Sequence, residues 1–309
     1  MYNTKEVQKI SKRTFVIGDE WLYYKLYSGP KTSDEVLINA IKPLVDELIE
    51  HKIIDKWFFI RYADPKEHLR LRFHCCNQKS ILTIINCVNT SLKTYVDDDL
   101  IWKIQIDTYQ REVERYGENT IELSEDLFFH DSKLIVDMID LIEGDKGETI
   151  RWLFAMRAID SLLDDFKFDD QQKLILLENL KDGFAREYGM NRFLKSQLDK
   201  KFRTERQSID DVMNKELDSQ SEIKPLFELL KQKSSRIRHI SNEILNIEKR
   251  NMLFRPLNDL MGSYIHMLMN RLFKSKQRLH EMVIYDFLYR YYKSEIAKKM
   301  NKLKLEKVN

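Results

Sequence analysis

Breakers are scarce in this sequence. Its 309 residues include 8 glycines and 5 prolines, too few for a chain of many short strands and tight turns, so much helix is expected. Cysteine is scarcer still. Cys75, Cys76 and Cys87 match no zinc spacing, and an adjacent pair does not make a disulfide framework. A reduced, cytoplasmic setting fits them. No apolar run approaches the roughly 20 residues that span a bilayer. The opening MYNTKEVQKISKR has no apolar core of a secretory signal. Neither a membrane span nor a signal is therefore expected. One sign of charge does not dominate either. A net charge of +2 speaks against a nucleic-acid coat, and no direct nucleic-acid binding is expected. HExxH, GxGxxG, GxSxG and Gly-rich phosphate loops are all missing. No metal and no cofactor is expected.

The most informative stretch is 57–74, WFFIRYADPKEHLRLRFH. It reads as a β-hairpin: apolar and polar residues alternate, Asp64-Pro65 supplies a turn, and alternation resumes. Side chains along a strand point alternately to two faces. His68, Arg70, Arg72 and His74 then share one face, and Leu69, Leu71 and Phe73 share the other. The second set faces a core. The first carries two arginines and no acid, as suits an anionic ligand, because Arg grips carboxylate or phosphate bidentately. A solubilising edge is the plainer explanation of the same row.

Around this hairpin the chain reads as follows. Residues 1–18 are a polar lead-in. An aromatic strand spans 21–27, ended by Ser28-Gly29-Pro30. A helix capped by Thr32 or Ser33 runs to about residue 52, and another spans 80–96. A strand begins at Ile101, with Lys103, Gln105, Asp107 and Tyr109 on one face and Arg111 and Arg115 near its rim. Strand, helix, two strands, helix, strand makes a small α+β layer with helices on one sheet face. Helical periodicity then predicts helices at 123–143, 147–165, 170–187, 190–217, 222–248, 256–274 and 278–301. The fold class is thus α+β, with an N-terminal antiparallel or mixed sheet and a mostly helical C-terminal half. The provisional division is 1–120 and 121–309, both parts of one integrated domain. The basic run from Arg236 to Arg250 reads as a solvated helix face.

A second polar group stands on an apolar background. The helix beginning near Pro256 carries an apolar stripe through Leu257, Leu260, Met261, Tyr264, Leu268 and Leu272. His266 lies nearly opposite, with Met269 and Phe273 close by, so burial on two sides is expected. Gly262, one turn earlier, would remove bulk where the ring meets a ligand, and Asn270 at i+4 could orient the ring. A core histidine satisfied by a backbone carbonyl is the plainer alternative.

Taken together, WLYYKLYSGP, WFFIRYADPKEHLRLRF, DTYQREVERYG, SYIHMLMNRLF and EMVIYDFLYRYYKS resemble the C-terminal glutamate-elimination domain of lanthipeptide dehydratases. That domain is also known as a separate chain in thiopeptide pathways. The likeness covers nearly the whole chain. It implies a stand-alone, split form acting beside a separate glutamyl-tRNA-dependent glutamylating protein on a ribosomally made precursor peptide. The implied reaction removes glutamate from glutamylated Ser or Thr and leaves dehydroalanine or dehydrobutyrine, without a cofactor.

The resemblance also implies functional residues. Arg72, with Arg70 beside it, and either Arg115 or Arg111 would hold the glutamyl carboxylate and developing negative charge. His266 would move the proton. Arg61, His68 and Asn270 would support them. This chain has Gly117-Glu118 where the family usually has two glycines. Two other functions remain on the same fold: a thiopeptide pyridine synthase performing a formal [4+2] cycloaddition, and a non-catalytic peptide-binding subunit of a glutamylating enzyme. The first needs no glutamate-gripping arginines, and the second needs no cationic strand face. Whether the chain forms a homodimer is left open.

Overall fold

The computed structural model describes residues 11–142, 147–214 and 223–306. Its strands are β1 (Thr14–Phe15), β2 (Trp21–Ser28), β3 (Ile54–Ala63), β4 (Glu67–Cys75), β5 (Ile101–Asp107) and β6 (Tyr109–Gln110). Between β2 and β3 run α1 (Pro30–Val36), a π turn (Leu37–Ile41) and α2 (Lys42–Glu50), and α3 (Ser80–Asp97) joins β4 to β5. The expected order of strand, helix, two strands, helix and strand is therefore present. Strands β3-β4-β2-β5 form one antiparallel sheet. The lead-in contributes β1, which pairs with β6 in a small second ladder that a two-residue strand could not announce in sequence.

The hairpin alternation holds residue by residue. Leu69, Leu71 and Phe73 on β4 are fully buried with Leu22, Tyr24 and Leu26 on β2 and Trp57 and Phe59 on β3. This face packs under α1, α2 and α3, where Val36, Leu44, Val45, Leu48, Ile84, Val88 and Leu92 are also buried. Each such aliphatic side chain contributes about 1.5–3 kcal/mol on burial.

Two local expectations are corrected. The first helix starts at Pro30 rather than at a Thr32 or Ser33 cap, because proline suits a first turn, and the Ser33 hydroxyl donates to the Gly29 carbonyl from inside the helix. The π turn directly precedes Pro43, which has no N–H to give to an α-helical ladder.

The remaining helices are α4 (Val113–Tyr116), α5 (Ile121–Leu141), α6 (Gly147–Asp165), α7 (Asp170–Glu187), α8 (Arg192–Thr204), α9 (Arg206–Met213), α10 (Lys224–Lys249), α11 (Leu257–Leu272) and α12 (Gln277–Glu306). The stretch 190–217, expected as one helix, is two, divided at Glu205. Residues 143, 215–217 and 222 of the expected helices, and the first ten residues, lie outside the described residues. On α10 the side chains of Arg236, Arg238 and His239 face solvent, as the basic run suggests. No helix among the described residues is long and apolar enough to cross a membrane.

The chain divides into two compact units. One holds the described residues up to Phe129 together with Glu243–Leu260, and the other holds His130–Asn242 and the chain from Met261 onward. In the second unit, buried Lys173 on α7 pairs with Asp160 and Asp164 of α6, each at 2.5 Å, and reaches the Tyr292 hydroxyl of α12 at 3.2 Å. That network joins α6, α7 and α12, with α7 packed along α12.

Candidate active site

The face of the sheet opposite α1–α3 is built by register. Residues directly opposite on paired strands share a face. Arg72 stands opposite Tyr23 of β2 and Phe58 of β3, and Arg70 opposite Lys25 and Ile60. Tyr109 arrives from β6. The Arg72 guanidinium carbon lies 4.5 Å from the Tyr23 ring centre, 4.8 Å from Tyr109 and 5.1 Å from Phe58. Cation–π contact favours this geometry. Trp21 closes the group, 5.4 Å from Phe58 and 5.5 Å from Tyr109.

Arg72 is 8% exposed. Its Nε and Nη1 are buried and meet no hydrogen-bond acceptor among the described residues, and the Trp21 Nε1–H is in the same condition. Ring faces replace little of a guanidinium's hydration, and a buried charge ordinarily requires a hydrogen-bonding counter-charge. Arg72 thus presents buried N–H donors on two edges of its guanidinium, at Nε and at Nη1, each able to bond an anionic oxygen.

Beside it, Arg70 stacks on Tyr62 at 3.4 Å, and its Nε–H donates to His68 Nε2 at 3.1 Å. His68 Nδ1 donates to the Lys66 carbonyl at 2.8 Å. Both ring nitrogens are therefore committed with the ring neutral. Burial holds its pKa below the ordinary 6.5, and the cations Arg70 and Lys25 act in the same direction. Lys25 is bound to Asp107 at 2.5 Å, and that bond holds the Asp107 carboxyl below the ordinary carboxylate range. His74 lies 2.6 Å from Asp55. The row is cationic around Arg70 and Arg72 and balanced at its edges.

Arg61 does not belong to this face. It stands opposite Leu69, on the helix-covered side, and pairs with Asp34 of α1 at 2.5 Å. Its expected place in a shell with His68 is corrected, because alternation along β3 puts Phe58 and Ile60, not Arg61, beside the β4 arginines.

Arg111 and Arg115, indistinguishable in sequence, differ in structure. Arg111 is buried and grips Glu125 of α5 with two bonds, Nε to Oε1 at 2.8 Å and Nη2 to Oε2 at 2.6 Å, and Nη1 reaches the Lys12 carbonyl at 3.0 Å. The Tyr109 hydroxyl donates to the same Glu125 Oε1 at 2.7 Å. Glu125, to which no sequence motif points, therefore anchors both Arg111 and the ring stacked on Arg72. Arg115, on the short helix α4, keeps its head 33% exposed and approaches Glu112 at 3.5 Å.

His266 and Asn270 are in the second unit. The helix α11 is buried on two sides, as expected: Leu260, Tyr264 and Leu268 are covered, and so are Ile265, Met269 and Phe273 just beyond it. His266 Nδ1 lies 2.8 Å from Oε1 of Glu281 on α12, a residue that its sequence context does not single out. Glu281 is fully buried and its Oε1 also accepts from the Tyr285 hydroxyl at 3.0 Å. Asn270 reaches the same group through Gln277. Its Nδ2 donates to Gln277 Oε1 at 2.9 Å, and Gln277 Nε2 reaches the His266 carbonyl at 3.3 Å. A Cβ at Gly262 would meet the Leu180 side chain of α7 at 3.4 Å, an ordinary contact distance.

The structure thus brings Arg70, Arg72 and His68 together, with Arg111 behind them through Glu125 and Tyr109, and separately brings His266 to Glu281. One group offers donors for an anion, and the other an imidazole held by a carboxylate. Among the described residues no cluster of His, Cys, Asp and Glu could hold a metal ion.

The chain is similar to several known proteins. The family model described as "Lantibiotic biosynthesis dehydratase C-term" matches residues 21–292. Subtilin biosynthesis protein SpaB of Bacillus subtilis is 26% identical over 274 residues, covering 86% of this chain and 25% of that protein. Nisin biosynthesis protein NisB of Lactococcus lactis subsp. lactis is 32% identical over 140 residues, covering 45% of this chain and 14% of that one. The chain therefore spans about a quarter or less of the curated relatives it matches. The crystal structure of the tRNA-dependent lantibiotic dehydratase MibB from Microbispora sp. 107891 superposes with a TM-score of 0.66 at 21% identity, over 92% of this chain and 29% of that one. The pyridine synthase TbtD from thiomuracin biosynthesis superposes with a TM-score of 0.64 at 10% identity, over 89% and 99%. At these identities the two structures share the fold. The chain belongs to the family of lantibiotic biosynthesis dehydratase C-terminal domains.

Proposed function

We propose that this chain removes glutamate from glutamylated Ser and Thr residues of a ribosomally made precursor peptide, leaving dehydroalanine or dehydrobutyrine. The reaction is a β-elimination. A base takes the α-proton, a double bond forms between the α and β carbons, the Cβ–O bond breaks, and glutamate leaves with the electron pair as a carboxylate. A separate glutamylating protein supplies the ester.

The observation that carries this reading is Arg72: a buried guanidinium, walled by three aromatic rings, whose Nε and Nη1 meet no acceptor among the described residues. Such a group suits a leaving carboxylate, whose charge grows as the bond breaks. In a buried, low-dielectric setting its donors stabilise that charge more than water would. Arg70 adds a second cation beside it. Of the two later arginines, Arg115 is assigned to substrate because its side chain is one-third exposed, and Arg111 is assigned to the buried network in which Glu125 also holds Tyr109. His266 is assigned the proton transfer. Arg72 and His266 are assigned separate roles that can be tested separately.

Mass spectrometry of a glutamylated precursor peptide incubated with the protein alone tests the reading. Loss of one glutamic acid per modified residue is expected. Conversion of a dehydroalanine-containing peptide to a cyclised product, with no glutamate lost in the first assay, would instead establish cycloaddition. Inactivity in both, with tight binding to a glutamylating protein, would establish the binding-subunit function.

A further inference from the structure

We propose that Glu281 is the positioning residue for His266: it holds the ring in the tautomer that carries hydrogen on Nδ1, so that Nε2 is the nitrogen that takes the proton. The consequence for catalysis rests on the elimination reading above, whereas the tautomer is a property of the protein alone.

Burial sets the first constraint. The Glu281 carboxylate is fully buried, while His266 keeps 27% of its side chain exposed. A buried carboxylate must be hydrogen-bonded, and an ionised one can only accept. Three donors surround it. His266 Nδ1 and the Tyr285 hydroxyl meet Oε1 at 2.8 and 3.0 Å, and Arg278 Nη1 meets Oε2 at 3.3 Å. Nδ1 at that distance from an acceptor must carry the hydrogen, and Nε2 then carries the lone pair.

A competing partner lies farther from the ring than Glu281 does. Gln277 Nε2 is 3.3 Å from His266 Nδ1. The Gln277 amide is oriented by Asn270, which donates to its oxygen at 2.9 Å, so its nitrogen faces the histidine. With Nδ1 giving its hydrogen to the nearer carboxylate, it has no lone pair left for that amide. The Gln277 nitrogen is served instead by the His266 backbone carbonyl at 3.3 Å.

The charge balance favours the same conclusion. Arg278 does not belong to Glu281 alone: it also binds Glu187 on α7 and stacks on Phe184 at 4.2 Å. Tyr285 is fully buried, and burial beside Glu281 pushes its hydroxyl well above the ordinary range, so it stays a donor. Tyr188 lies in the same neighbourhood and is also raised, by burial first and then by Glu187. With Arg278 shared and set against Oε2, the Oε1 edge of Glu281 is left to His266 and Tyr285. The same logic operates where a carboxylate orients a catalytic imidazole on other folds.

The test is nitrogen NMR on protein labelled at histidine, with the His266 signal identified by its loss in His266→Gln. At a pH where the ring is neutral, the native protein should show hydrogen on Nδ1, the reverse of what free histidine prefers. Glu281→Met should return the ring to the Nε2–H form. It should also lower kcat for glutamate loss about a hundredfold or more, with KM little changed. Tyr285→Phe loosens the same network but spares the Glu281–His266 bond. It should keep the native tautomer and most of kcat. An Nε2–H ring in the native protein would overturn the proposal without any variant. So would a Glu281→Met protein that keeps the native tautomer, or a Tyr285→Phe protein that loses it equally. Native protein that shows the Nδ1–H ring but releases no glutamate would sink the elimination reading and leave the positioning role intact.

Discussion

Arg72 and Arg111 are two buried arginines of one unit, 8% and 5% exposed, and each stacks on aromatic rings. They differ in one respect. Arg111 is gripped by two bonds from Glu125, whereas two of the Arg72 nitrogens make no hydrogen bond among the described residues. The first is a completed buried pair; the second is a buried charge whose complement would come from a ligand. Removing one partner of a completed pair leaves an opposite charge stranded, while replacing an uncompensated charge by an apolar chain of similar volume is neutral or favourable. On the proposed function, the contrast separates a residue that serves the fold from one that would serve a substrate.

The largest effect on stability is expected at Arg111. Arg111→Met strands Glu125 and should cost about 3–5 kcal/mol, read as a lower urea midpoint. An unchanged midpoint would mean that the pair is not structural. Arg72→Met should do the opposite. Its urea midpoint should hold or rise, while the rate of glutamate loss falls about a hundred- to a thousandfold. Arg72→Lys, which keeps charge but not the planar fork, should recover only part of that rate. Arg115→Met should lower the rate with stability changed by less than about 0.5 kcal/mol, as for other surface substitutions. If Arg111→Met abolishes elimination while stability is kept, the assignment of the two arginines is reversed.

The smallest effect is a pH dependence on the Arg72 face. Burial holds the pKa of His68 below 6.5 in the fold. Below pH 6.5 the unfolded chain therefore binds a proton that the folded chain does not, and stability falls as pH falls. The His68 contribution is complete above pH 6.5 and is lost as pH drops through the folded value. Urea midpoints at two pH values should show this slope, and His68→Gln should flatten part of it. His280, also lowered by burial, should leave a remainder.

Much of this layout is legible in the sequence. Strict alternation on β4 is enough to sort Leu69, Leu71 and Phe73 from Arg70 and Arg72, because a two-residue period leaves no other choice. What surrounds Arg72 is not legible there. Tyr23, Phe58 and Tyr109 come from three different strands, and only register brings them together. The partners of the polar groups are hidden for a related reason. Glu125 follows Arg111 by 14 residues and Glu281 follows His266 by 15, spacings that no single helix or strand turns into contact. Asn270 stands out because i+4 on one helix is visible in sequence, yet it is a carboxylate from the neighbouring helix that holds the ring. Arg61 groups with His68 by proximity along the chain, although their places on the paired strands put them on opposite faces.

The most direct measurement follows glutamate loss from a glutamylated precursor peptide by mass spectrometry, with native protein and Arg72→Met side by side and the urea midpoint of each in hand. The account predicts that native protein gives dehydrated peptide, while Arg72→Met stays folded with an equal or higher midpoint and leaves the glutamyl adducts in place. Elimination by Arg72→Met at the native rate would contradict it.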